Sequence, residues 1–240
     1  MNLDNISVGD SLLIPVIVKS IDSNGRHFDS IEVELNSPED ETPRRTIKLE
    51  ARNLMTSNSP SLLAAVTQKA TFVSQNFTLS GCHLISSLPV EMFLGLEQVQ
   101  VIVLDDLYIT TLPRGIFDCI KDLTGSLEIA SNSKLVSIPY GLFDRLALFN
   151  DVGIFNNPLF TSIPSGIFDH NPLLVAVYLS GNALTELSIK NALTSLVVSG
   201  AINGTVDVSG GTNATHATWT TPTLAAETTL VGRGWTVTAS

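Results

Sequence analysis

Cysteine is almost missing from this chain: of 240 residues only Cys82 and Cys119 carry a thiol. That excludes a disulfide-stapled scaffold, and their spacing is not that of a zinc knuckle, so both read as small buried or half-buried thiols. Charge is scarce too. Charged residues make up 15% of the chain, with 13 Lys and Arg against 23 Asp and Glu, for a net charge of -10. So few basic residues exclude nucleic acid as a partner, because such binding rests on clustered Lys and Arg that release counterions. The same balance disfavours docking on an anionic membrane surface. No run approaches about eighteen uninterrupted apolar residues, so no membrane insertion is expected. The amino terminus, Met1-Asn-Leu-Asp-Asn-Ile, has no basic region followed by an apolar run. No secretory signal is therefore expected, and the chain reads as made in a reducing cytoplasm.

Catalytic motifs are also wanting. There is no glycine-rich phosphate loop and no nucleophile elbow, and no cofactor is implied. His27, His83, His170 and His216 stand in separate segments, without carboxylate or thiol partners at ligand spacing. The Asp105-Asp106 pair reads as turn chemistry rather than as paired catalytic carboxylates. Asn5, Asn76, Asn203 and Asn213 begin glycosylation sequons, which read as coincidence in a chain rich in Ser and Thr.

What the chain does have is hydrophobic content of 44% and a repeat. Four segments align: Ile85-Ser-Ser-Leu-Pro-Val-Glu-Met-Phe93, Ile109-Thr-Thr-Leu-Pro-Arg-Gly-Ile-Phe-Asp118, Leu135-Val-Ser-Ile-Pro-Tyr-Gly-Leu-Phe-Asp144 and Phe160-Thr-Ser-Ile-Pro-Ser-Gly-Ile-Phe-Asp169. Their prolines, Pro89, Pro113, Pro139 and Pro164, are spaced by 24, 26 and 25 residues. Upstream of each lies an apolar pair at i and i+2, read as a short strand with one buried face. These pairs are Phe77 and Leu79, Val101 and Val103, Leu127 and Ile129, and Val152 and Ile154. A polar or small residue follows where the chain turns: Cys82, Asp106, Asn132 and Asn157, continued by Asn182 in a fifth copy that has lost its proline. An Asn amide there can satisfy backbone groups of adjacent coils. Phe93, Phe117, Phe143 and Phe168 are expected to plug the space between coils. Asp118, Asp144 and Asp169 are expected to make turn hydrogen bonds. No coil buries its face alone, so stacking is compulsory.

The phrase Ser-Ile-Pro-x-Gly-Leu/Ile-Phe-Asp resembles the leucine-rich repeats of vertebrate immune receptors, over about residues 72–190. The Cys-rich caps of those receptors are absent here, so prokaryotic and viral repeat proteins fit better. The resemblance implies an α/β solenoid with a parallel strand ladder and a period of about 25 residues. It also implies ligand binding on the concave strand face. The outward positions there are expected to be Thr78, Ile102, Glu128, Gly153 and Tyr178 in one row, with Ser80, Leu104, Ala130, Phe155 and Ser180 in the next. Glu128, Phe155, Tyr178, Ile102 and Leu104 are the candidate contacts.

The ends read differently. Residues 1–56 hold alternating runs such as Ile31-Glu-Val-Glu-Leu35 and Arg45-Thr-Ile-Lys-Leu-Glu50, with Asn24-Gly25 at a hairpin turn, and predict a small all-β barrel. Its rhythm resembles SH3-like or OB-like barrels of bacteriophage structural proteins. Residues 57–75 form a linker and a cap helix opened by Ser59-Pro60. The solenoid is expected over 76–210. A C-terminal cap of helix plus strand follows at 211–240, where the segment from Gly204 to Val237 resembles the close of phage virion and bacterial surface proteins. Together these resemblances imply a non-catalytic bacteriophage virion structural protein. Residues 1–56 would dock on other virion proteins, in capsid or tail, and the solenoid would be displayed as a decoration or interaction module. The alternatives are a tail-associated receptor-binding protein or a bacterial surface adhesin, meeting a host-surface protein or glycan through the solenoid. Self-association as a homo-oligomer is left open.

Overall fold

The computed structural model describes residues 76–240 apart from 82, 84, 89, 91 and 94–98, together with the backbone of five strands nearer the amino terminus. Those five are β1 (Ser11–Leu13), β2 (Val16–Val18), β3 (Ser30–Ser37), β4 (Asp40–Glu50) and β5 (Ala70–Val73), and they pair antiparallel. The two alternating runs noted above face each other in β3 and β4, Ile31 opposite Leu49 and Val33 opposite Ile47. β5 pairs antiparallel with β6 (Asn76–Ser80), and from β6 onward every pairing is parallel. The ladder continues through β7 (Val101–Asp105), β8 (Ser126–Ala130), β9 (Asp151–Phe155), β10 (Ala176–Tyr178), β11 (Thr205–Asp207) and β12 (Thr236–Thr238). Successive parallel strands need a crossover each time, and here each crossover is one turn of a coil. The expected hairpin turn at Asp22–Gly25, the helix after Ser59, and Cys82 lie outside the described residues.

Two inward rows form the spine. Phe77, Ile102, Leu127, Val152, Val177 and Val206 pair in register and are buried. Two residues on, Leu79, Leu104, Ile129, Ile154, Leu179 and Val208 are buried as well. Behind them the phenylalanines stack along the same axis. Ring centroids are 5.5 Å apart for Phe93–Phe117, 6.3 Å for Phe117–Phe143 and 5.9 Å for Phe143–Phe168, the last pair within 1° of parallel. Gly115, Gly141 and Gly166 hold the left-handed turns that aim these rings inward. The N–H groups of Asp118, Asp144 and Asp169 donate to the carbonyls of those glycines.

The second coil corrects the sequence reading. Ile102 and Leu104, expected outside, are fully buried, and Val101 and Val103, expected inside, lie on the outer face. The residue at the asparagine position is Leu107, whose N–H donates to Asn132 Oδ1 at 2.9 Å. Asp106 instead takes the left-handed turn just before it, with φ 52°, equivalent to Ser131 at 55° and Asn156 at 56°. The cause is a one-residue contraction between Leu107 and Pro113, which also accounts for the uneven proline spacing. Counting back from the proline puts the register off by one; counting forward from the buried pair restores it.

Past the fifth copy, the convex turn is replaced by a helix, α1 (Glu186–Ser199), inside the segment expected to continue the solenoid. Thr185 caps its start, accepting from Ser188 N, and Gly200 ends it at φ 80°. A second helix, α2 (Thr221–Gly232), leads into β12, so both late strands extend the same ladder. Glu186 ties the helices together. Its Oε1 accepts from Thr220 N at 3.1 Å, from Thr220 Oγ1 at 2.7 Å, and from the Thr223 hydroxyl. These donors, Thr223 first, hold the Glu186 carboxyl below the usual carboxylate range, with Lys190 adding to the effect. A lowered folded-state pKa stabilises above the ordinary carboxylate range and fades as pH falls through it. Glu186→Gln is therefore expected to melt about 1–3 °C below the parent at pH 7, with the gap closing as pH falls below about 4. Thermal melts across that range check it.

Candidate functional site

The outward face of the ladder is built from residues between the buried rows. Parallel register places Val103, Glu128, Gly153, Tyr178 and Asp207 side by side in a middle row. Asp105, Ala130 and Phe155 line up in the row above, and Val101, Ser126, Asp151, Ala176 and Thr205 in the row below. Strands stand about 4.8 Å apart, so neighbours in a row are within side-chain reach. Asp105, Glu128 and Asp151 run diagonally across three adjacent strands. The sequence reading brought Glu128, Phe155 and Tyr178 to this face but missed Asp105 and Asp151. Asp105 was lost with the register of the second coil. Asp151, first in its strand, had no partner in the two rows considered.

Charge on this face has one sign. The strands from β6 to β12 contain no Lys, Arg or His, and their charged residues are Asp105, Glu128, Asp151 and Asp207. Partial burial pushes the Glu128 carboxyl above its ordinary pKa, and the charges of Asp105 and Asp151 push it further. Asp151 is raised by burial. Asp105 accepts a hydrogen bond from Ser80 Oγ at 2.9 Å, an acceptance that holds its carboxylate in place.

The centre is a shallow depression of about 360 Å³ lined by Ser126, Glu128, Asp151, Gly153, Phe155 and Tyr178, among others. Gly153 shapes it. A Cβ at that position would stand 2.8 Å from Phe155 Cε1 and 3.8 Å from Glu128 Cγ. The Phe155 ring thus folds back over the strand, across the space a side chain would fill. Phe155 is half-buried, whereas Tyr178 on the next strand is 39% exposed.

The face is rigid because an asparagine ladder runs beneath its edge. Asn157 Oδ1 accepts from Asn132 N, and Asn182 Oδ1 accepts from Asn157 N, each at 2.9 Å. Each amide also donates to carbonyls of its own and the preceding coil: Asn132 to Ala130 and Leu104, Asn157 to Phe155 and Ile129, Asn182 to Leu179 and Ile154. Asn213, read in the sequence only as a sequon, is a further rung. Its Oδ1 accepts from Leu184 N at 2.8 Å and its amide donates to Leu179 and Val208.

No family model matches the chain, and no curated protein matches it. Among solved structures it aligns with a chain from "Structure of the Toll - Spatzle complex, a molecular hub in Drosophila development and innate immunity". The TM-score is 0.50 at 20% identity, covering 68% of this chain. The fold is that of a leucine-rich-repeat solenoid. The aligned part is 19% of the other chain, so this solenoid spans about a fifth of that neighbour's length.

Other polar clusters of the solenoid sit at its turns. His83 Nε2 lies 2.7 Å from Asp106 Oδ1 and its ring stacks on Tyr108 at 4.9 Å, while Lys134 Nζ lies 5.8 Å from the centre of the Tyr108 ring. His216 pairs with Glu227 at 3.0 Å and leans on Trp219. His170 is exposed, and His27 lies outside the described residues. Among the described residues no three His, Cys, Asp or Glu side chains are grouped to hold a metal ion. Among the same residues no helix is long and apolar enough to cross a membrane.

Proposed function

We propose that this chain is a non-catalytic binding and display protein whose outward strand face meets a protein partner. The observation that carries the reading is the row of Glu128, Gly153 and Tyr178, with Phe155 and Asp151 beside it, held on a backbone locked in register by the asparagine ladder. Exposed aromatic residues on a rigid surface are the common anchors of protein interfaces. The solenoid neighbour is described as part of a complex, which agrees with a protein partner.

The setting we propose is a bacteriophage virion, with residues 1–56 forming a small β-barrel docked on the capsid and the solenoid displayed outward. The strand rhythm of the amino-terminal segment and the resemblance of the closing segment support this. A tail-associated receptor-binding protein or a bacterial adhesin is the second reading, favoured if the face meets a host-surface protein or glycan. Peptides of this chain are expected in purified particles, and their absence overturns the virion setting alone. A photo-reactive residue placed at position 178 of the full chain is expected to cross-link a partner in that native setting. The same residue at exposed Asp122, off the strand face, is expected not to. Equal yields, or none from position 178, overturn the binding face.

A further inference from the structure

We propose that the partner presents a lysine- or arginine-bearing segment to this face, its cationic head set over the Phe155 ring and between the carboxylates of Glu128 and Asp151. This rests on the reading of the strand face as the binding surface and adds the chemistry of what binds.

Charge complementarity carries it. Every charged side chain on the seven parallel strands is acidic, and three of them, Asp105, Glu128 and Asp151, converge along one diagonal. Like charges this close disfavour one another, so an incoming cation relieves a repulsion already built into the free protein. The depression is also shaped for a cation on an extended apolar stem. It is lined by Phe155, whose ring lies over Gly153, by Tyr178, and by Glu128 and Asp151, which bring the carboxylates. A ring face attracts a guanidinium or ammonium head, while the methylene stem covers apolar surface. A neutral apolar ligand would leave Glu128 and Asp151 further desolvated without a partner, which is costly. An anionic ligand would meet repulsion from the whole row.

The test uses the full chain and a fluorescent peptide alternating arginine with glycine and serine, titrated at low ionic strength. A second peptide carries citrulline, the uncharged isostere, at every arginine. The arginine peptide is expected to bind at least about tenfold more tightly than the citrulline peptide. Glu128→Gln with Asp151→Asn is expected to weaken it about tenfold, whereas the same loss of charge in Asp118→Asn with Asp122→Asn changes it less than about twofold. Gly153→Val, which displaces the Phe155 ring, is expected to weaken arginine binding with all carboxylates in place. Unchanged melting midpoints show that each variant is folded. Equal loss from the two double variants means attraction to net charge alone and overturns the proposal. So does equal affinity for both peptides, which is the mark of apolar docking, and so does no binding of either. If position 178 still cross-links a partner when arginine binding fails, the binding face stands and only its cationic specificity falls.

Discussion

Alanine at Phe143 is expected to cost about 3–5 kcal/mol, the range for deleting a fully buried phenylalanine ring. Its ring is wholly buried and touches three others: Phe117 at 6.3 Å, Phe149 at 5.7 Å and Phe168 at 5.9 Å between centroids. The cavity would open in the middle of the stack, where each coil is stabilised mainly by its neighbours. Against a domain stability of about 5–15 kcal/mol, that is a large share of the total. Urea denaturation followed by far-ultraviolet circular dichroism should show a midpoint about 1–2 M below the parent. Phe143→Leu keeps most of the volume and is expected to lose less than half as much. A midpoint for Phe143→Ala within about 0.3 M of the parent would mean that the stack does not hold the coils together.

Asn157→Leu is expected to destabilise by about 1–3 kcal/mol, although it adds apolar surface to a buried site. Asn132 N–H loses its acceptor, and Ile129 C=O and Phe155 C=O lose the amide donor, although Phe155 C=O keeps the N–H of Ser131 at 3.2 Å. A buried N–H left without an acceptor costs about 1–3 kcal/mol. Leu107 shows why the same residue is tolerated two coils earlier, for there it only donates its own N–H to the ladder. Asn157→Asp separates hydrogen bonding from size. The carboxylate still accepts from Asn132 N–H but faces two carbonyl oxygens, so its folded-state pKa is raised by burial and repulsion. A raised pKa stabilises below the ordinary range and is lost as pH rises. This variant is therefore expected to grow more stable between pH 7 and pH 4, a trend that Asn157→Leu, measured beside it, should not share. Urea midpoints at several pH values decide it.

How much of this was legible beforehand differs by element. Phe93, Phe117, Phe143 and Phe168 recur at one place in each repeat, and they stack. Asn132, Asn157 and Asn182 follow the buried pair at constant offset, and the ladder joins them. The second coil was misread because its polar Asp106 lies at the expected distance from Pro113, while the true rung is an apolar Leu107. Helix α1 was missed because Glu186–Ser199 interrupts the repeat without a proline, leaving only the Thr185 cap and Gly200 as signals. Asn213 was hidden for a similar reason: α1 lengthens its coil and breaks the period.

The sequence by itself determined the coil. Its apolar residues at i and i+2, its turn glycines and its recurring phenylalanine act over a few residues, so the repeat unit is written locally. Tertiary structure alone decided the face. Whether Ile102 or Val103 points outward depends on where its strand pairs with the strands beside it, and a shift of one residue turns every side chain over. The diagonal of Asp105, Glu128 and Asp151 follows from that lateral pairing, between residues some 25 positions apart, which no local pattern specifies.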